Sequence, residues 1–126
     1  MEIINSDKAP AAIVPYSQAV RVGDFVFCSG QIGIDPAIKR LAGDNVTTQT
    51  RQVFKNIRAV MKASGLGLKN IIKTTVFLAN MDDFPVVNDI YGSEFKDHKP
   101  ARSTVQITRL PMDALIEIEC IAVTKR

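Results

Sequence analysis

The hydrophobic positions change their period along the chain, and each change marks an element. Over residues 24–29, Phe25 and Phe27 alternate with Val26 and Cys28, the two-residue repeat of a strand. Gly30 and Gly33 then interrupt the pattern, and Asp35-Pro36 marks a turn. Over residues 47–64 the period lengthens. Val53, Phe54, Ile57, Val60 and Met61 recur three and four apart, which predicts a helix, with Gly65 as its C-terminal stop. Residues 71–79 are rich in β-branched side chains and predict a strand. A second helix is expected over residues 82–96, capped by Asp82 or Asp83, with Pro85 in its first turn. Its inward face is Val87, Ile90, Tyr91 and Phe95. Two last strands are expected over residues 102–107 and 115–124. This order predicts an α+β fold, a mixed sheet with both helices packed on one face.

Two helices cover one side of a sheet, yet these strands are apolar on both. Ile71, Phe77 and Ala79 alternate with Ile72, Val76 and Leu78, and Ile121 and Val123 alternate with Ile118 and Ala122. A sheet with one face in water alternates between apolar and polar residues instead. Large exposed apolar faces are unusual in monomers, so the pattern predicts self-association.

Composition narrows the function classes. At 126 residues, 46% hydrophobic and 23% charged, the chain is expected to form one globular domain over residues 1–126, without a linker. No apolar run approaches the roughly 18 residues of a membrane helix. Met1-Glu2-Ile3-Ile4-Asn5 lacks the basic start and apolar stretch of a signal peptide, so a cytoplasmic location is expected. Cys28 and Cys120 sit inside apolar runs and read as buried thiols in a reducing compartment. His98 is the only histidine, and no CxxC, HExxH or carboxylate cluster accompanies it, so no metal site is expected. Phosphate-loop, dinucleotide and nucleophile-elbow motifs are also missing. The net charge is +3. Arg51, Lys55, Arg58 and Lys62 form a stripe along the first helix, either a phosphate-contacting ridge or a solvated face, and the solvated face is the plainer reading.

Two places in the last strands carry chemistry. Arg102 opens a strand directly after Pro100-Ala101, where a guanidinium can grip a carboxylate through two parallel hydrogen bonds. Glu117 and Glu119 lie two apart and share one face, which continues into Ile121 and Val123. A carboxylate beside an apolar interface can bind or activate a water. The same pattern also fits two solvated glutamates, one of them paired with Arg102.

Several motifs in register resemble the reactive intermediate deaminase (Rid) family, in particular its 2-iminobutanoate/2-iminopropanoate deaminases. They are Ala9-Pro10-Ala11-Ala12-Ile13 with Pro15-Tyr16-Ser17-Gln18, Ser29-Gly30-Gln31-Ile32, Val76-Phe77-Leu78 and Met81-Asp82-Asp83-Phe84. Val87-Asn88 and Tyr91, Pro100-Ala101-Arg102-Ser103, Arg109-Leu110-Pro111 and Ile116-Glu117-Ile118-Glu119 extend the match over nearly the whole chain. The resemblance implies a chorismate-mutase-like fold, a homotrimer whose sheets form a central barrel, and active sites between subunits. It implies hydrolysis of enamine and imine intermediates to 2-keto acids and ammonia without a cofactor. Carried over by position, Arg102 holds the substrate carboxylate and Glu117 positions the water and handles protons. Tyr16, Ser29, Gly30 and Asn88 line the pocket, and the Thr104 backbone contacts a water. Many relatives have cysteine at the Thr104 position, a smaller residue at Thr108 and glycine at Val14. A valine before Pro15 is confined to extended conformations and is expected to re-aim Tyr16. Two alternatives remain at this level, an RNA-directed endoribonuclease or translation inhibitor, and a metabolite-binding regulator without turnover. The chain lacks the histidine pair or aromatic stacking platform that an RNA-directed role would use.

Overall fold

The computed structural model describes residues 1–13 and 15–125. A six-stranded mixed sheet carries both helices on one face. Its strands are β1 (Glu2–Ile4), β2 (Ala19–Val22), β3 (Phe25–Ile32), β6 (Ile71–Leu78), β7 (Ala101–Gln106) and β8 (Ile116–Val123). A small hairpin, β4 (Ile34–Asp35) and β5 (Arg40–Leu41), stands apart. The sheet order is β1-β2-β3-β8-β6-β7, and only β6 and β7 run parallel. Helix α2 (Phe84–Phe95) makes the crossover between them, while α1 (Val46–Ala63) connects the hairpin to β6. The expected α+β arrangement is thus the observed one.

Helix α1 forms one residue earlier than its periodicity suggests because Asn45 caps it, its side chain accepting from the Thr48 amide at 2.8 Å. It ends in a Schellman motif. Gly65, at φ +76°, donates its amide to the Lys62 carbonyl, and Leu66 donates to that of Met61. Every apolar position anticipated for the two helices is buried, against Ile71, Val76 and Leu78 of β6 and Ile116, Ile118 and Ala122 of β8. Three buried amides tie α1 to the chain around it. Asn56 donates to the Ile32 and Ile34 carbonyls, Gln52 donates to Asn56, and Gln49 bonds Gly43 and Leu115. Gly33 admits this close approach, since a Cβ there would lie 2.7 Å from the Gln49 carbonyl.

Two irregularities depart from the strict alternation expected. Ile71 pairs with Ala122 and Lys73 with Ile121, so Ile72 is an extra residue and Ile71 turns to the helix side with Val76 and Leu78. In β3, Ser29 and Gly30 lie between the Cys28–Cys120 and Gln31–Ile118 pairs, two residues opposite the single Glu119. Gly30 therefore does not end the strand. It lies inside it, at a bulge.

The sheet's other face bears the expected apolar surface. Phe25 and Phe27 are each 43% exposed and Val105 41%, with Ile121 and Val123 beside them only half-buried. A second, smaller apolar cluster of Ile32, Leu110 and Ala114, with Phe77 packed against it, closes one end of that face. Cys28 and Cys120 are directly opposite each other and free, and the Cys28 thiol and burial push the Cys120 thiol well above its ordinary value.

Candidate functional site

The register decides which residues can act together. Cross-strand partners share a face of the sheet and neighbours along a strand alternate. Arg102 pairs with Thr74, which is buried under the helices. Glu117 pairs with Phe77, three residues further along β6, and so stands on the opposite face. The sequence-predicted site residues accordingly fall into two groups.

The first group lines a cleft of about 560 Å³ on the open side, where Tyr16, Ser29, Gly30 and Glu117 meet Gln18, Ile13 and Met112. The bulge in β3 brings the Gly30 backbone against Glu117. A Cβ at Gly30 would stand 2.4 Å from the carboxylate oxygen and 2.7 Å from its carbon. Ser29 fixes the opposite wall by donating its hydroxyl to the Ser17 carbonyl at 2.6 Å, and its amide bonds the Gln18 carbonyl. Gln18 is a residue whose part sequence reasoning missed. It is buried, its Oε1 accepts from the Ser6 amide at 2.6 Å, and its Nε2 donates to Pro10 at 2.7 Å. It thereby holds residues 6–10 over the cleft. The only sequence signal for it was its place in Pro15-Tyr16-Ser17-Gln18. The rim opposite carries two consecutive left-handed residues, Met112 at φ 58° and Asp113 at φ 54°, and Arg109 grips the Asp113 carboxylate at 2.6 Å.

Glu117 is half-buried and makes no ion pair among the described residues. Burial, and then the like charge of Glu119, hold its carboxyl above the usual glutamate range. A raised folded-state value means that the group favours folding most when protonated. Its contribution is fully present below the ordinary glutamate range and is lost as the pH rises through the raised value. A carboxylate kept at this cost in a cleft is a candidate for proton transfer.

The second group lines a cleft of about 480 Å³ beside α2, where Asn88 and Arg102 meet Tyr91, Lys96, His98 and Lys99. Arg102 lies over two rings, 4.8 Å from the Tyr91 centroid and 5.5 Å from that of Phe84. It makes no ion pair among the described residues, so its fork is open to an anion. His98 is occupied structurally, its Nε2 bonded to the Ile71 carbonyl and its ring against Phe95. Thr104 lies two residues beyond Arg102, and its buried hydroxyl has no hydrogen-bond partner among the described residues. Thr108 is exposed, and Val14 lies outside the described residues. On α1, the basic stripe faces solvent. Its Arg58 is committed to Glu94, with Nη2 donating to both carboxylate oxygens at 2.7 and 2.8 Å. No cluster of potential metal ligands occurs among the described residues, and no helix is long and apolar enough to cross a membrane.

A mixed sheet covered by two helices on one side, with a glutamate cleft on the open side and an arginine cleft beside the crossover helix, defines a small α+β protein with two candidate ligand clefts. The chain belongs to the family described as Endoribonuclease L-PSP, which it matches over residues 6–124 and which includes the Rid proteins. A 2-iminobutanoate/2-iminopropanoate deaminase of Mus musculus is 45% identical over 122 residues, 97% of this chain and 90% of the mouse protein. A solved Rid family protein of Yersinia pestis superposes with a TM-score of 0.95 at 46% identity, covering 97% of this chain and 98% of the other. E. coli TdcF, solved with bound serine, gives 0.92 at 43% identity, with 98% of each chain covered. The resemblance carried by the sequence motifs is therefore borne out at the level of family and fold.

Proposed function

We propose that this chain hydrolyses short-lived 2-imino acids, 2-iminobutanoate and 2-iminopropanoate, to 2-keto acids and ammonia, in a homotrimer with its sites between subunits. One observation carries the reading. The Arg102 guanidinium, without an ion pair among the described residues, and the half-buried Glu117 carboxylate occupy separate open clefts on opposite faces of one sheet. A four-carbon acid cannot bridge a sheet's thickness. A site using both groups takes Arg102 from one subunit and Glu117 from its neighbour, with the exposed apolar face supplying the contact. The mouse relative's name and the serine held by TdcF, itself a small amino acid carboxylate, support the same substrate class.

The chemistry asks little of the protein. Arg102 binds the substrate carboxylate through paired N–H bonds, fixing the C=N carbon. Glu117, as carboxylate, takes a proton from a water as its oxygen adds to that carbon and returns it to the imine nitrogen, giving a carbinolamine. Glu117 then takes the carbinolamine hydroxyl proton and passes it to the amino nitrogen, so that the C–N bond breaks to release ammonia and leaves the keto acid. Tyr16, Ser29, Gly30 and Asn88 wall the pocket, and the Thr104 backbone holds a water.

The test generates 2-iminobutanoate in situ from threonine with a dehydratase and follows its loss through a semicarbazide trap. Acceleration by the wild type is expected. No acceleration from folded protein overturns the assignment and leaves the binding-regulator or RNA-directed reading in its place.

Gly30→Ala gives a second expected result. The new methyl group meets the far end of a flexible side chain, so the fold tolerates it while Glu117 swings aside. Turnover is expected to fall about 10²-fold, the cost of displacing a reacting group by about 1 Å, with an unchanged melting temperature. Steady-state kinetics and thermal melts on the same sample check this.

A further inference from the structure

We propose that Phe84 and Tyr91 form an aromatic bracket that holds the Arg102 guanidinium by its faces and leaves its N–H edges for a carboxylate, a positioning role that rests on the substrate class proposed above.

An arginine has two kinds of surface. Its planar faces stack on rings and its edges donate in a fixed fork. In this chain the guanidinium lies over two rings, and it makes no ion pair among the described residues. The guanidinium carbon lies 5.5 Å from the Phe84 ring centroid and 4.8 Å from that of Tyr91. A carboxylate partner within the chain would have occupied the fork. Stacking orders a long side chain without spending a donor, so less rotamer freedom is lost when the ligand arrives.

The bracket is itself braced. The Tyr91 hydroxyl and the Thr74 hydroxyl lie 2.6 Å apart, buried, and Thr74 is the residue directly across the strand pair from Arg102. Strand β6 thus anchors the ring on which its own cross-strand neighbour lies. Phe95 packs on Tyr91 at 4.7 Å, and Phe54 meets it edge-on at 5.9 Å. Burial pushes the Tyr91 phenol up, outweighing the downward pull of the Thr74 bond and of Arg102, so the ring stays neutral and does not become a counter-ion. Phe84 opens α2 directly after the short turn Met81–Asp83 and supplies the second ring. Lysine at position 102 would keep the charge but lose the planar stack.

The experiment measures the Kd of 2-oxobutanoate, a stable keto acid with the same carboxylate, and of its neutral amide. Titration calorimetry is run on the wild type, Phe84→Leu, Tyr91→Leu and Tyr91→Phe, each with its melting temperature. Both leucine variants are expected to lower the preference for carboxylate over amide about tenfold, the scale of one partly desolvated cation–π contact. Tyr91→Phe, which keeps the ring, is expected to stay within about twofold of the wild type on the same scale. Phe84 is only half-buried, so Phe84→Leu carries the test if Tyr91→Leu does not fold. An unchanged preference in a folded Phe84→Leu protein overturns the bracket. So does a Tyr91→Phe loss as large as that of Tyr91→Leu, which would assign the effect to the hydroxyl. Absence of 2-oxobutanoate binding by the wild type also overturns it. A wild type that binds the keto acid with ring-dependent preference but hydrolyses no imine keeps the bracket and removes the deaminase reading.

Discussion

Arg102→Ala is expected to lower kcat/KM for 2-iminobutanoate by about 10²- to 10³-fold, the usual cost of removing one partner from a desolvated, hydrogen-bonded charge pair. The substrate is an anion without other large handles. On the proposed reaction its carboxylate is the one group the protein can grip from start to finish, so losing the fork harms binding and alignment together. The fold should not suffer. Arg102 is only half-buried, makes no ion pair among the described residues, and leaves behind two rings that can pack on each other's neighbours. Sedimentation and melting of the variant should match the wild type. A folded Arg102→Ala protein that deaminates at the original rate would show that the carboxylate is held elsewhere.

Glu117→Gln is expected to cost about 10²- to 10⁴-fold in kcat, the range of a positioned general base, down to the rate at which the imine hydrolyses unaided. The amide is nearly isosteric and cannot accept the proton of water. The pH dependence adds a sign. Burial and the Glu119 charge raise the Glu117 carboxyl, so the acid limb of the wild-type profile should lie above the ordinary glutamate range. Glu119→Gln removes the like charge and should move that limb to lower pH. Comparing the two profiles on one substrate cancels the imine's own titration. A limb that stays in place, or moves up, contradicts the assignment of Glu117 as base.

Much of this fold was legible because long elements announce themselves by period. Val53, Phe54, Ile57, Val60 and Met61 marked α1 to within one residue at each end, and the two-sided strands disclosed the exposed face of Phe25, Phe27 and Val105. Short elements gave no such signal. Three residues of β1, four of β2 and the two-residue arms of the β4–β5 hairpin are below the length at which alternation can be distinguished from chance. The bulges at Ile72 and at Ser29-Gly30 were invisible for a different reason. A bulge is defined by the partner strand, and pairing is not written in the strand itself.

The candidate site divides in the same way. The motifs supplied Tyr16, Ser29, Gly30, Asn88, Arg102 and Glu117 as a set. Only the register of β6 against β7 and β8 separates that set into an arginine half and a glutamate half on opposite faces. The clasp of Gln18 on residues 6–10 and the rings beneath Arg102 depend on contacts between distant segments, which no local pattern encodes.

The division into halves makes the central claim directly testable by coexpressing Arg102→Ala and Glu117→Ala chains and assaying the mixed oligomers. If each site draws Arg102 from one subunit and Glu117 from the next, two inactive chains assembled at random rebuild an intact pair at about one site in four. The expected result is therefore activity near a quarter of the wild type in the mixed sample, with neither variant alone exceeding the background hydrolysis. Mixed oligomers as inactive as their parents would contradict the account, because they would mean that both groups must come from one chain.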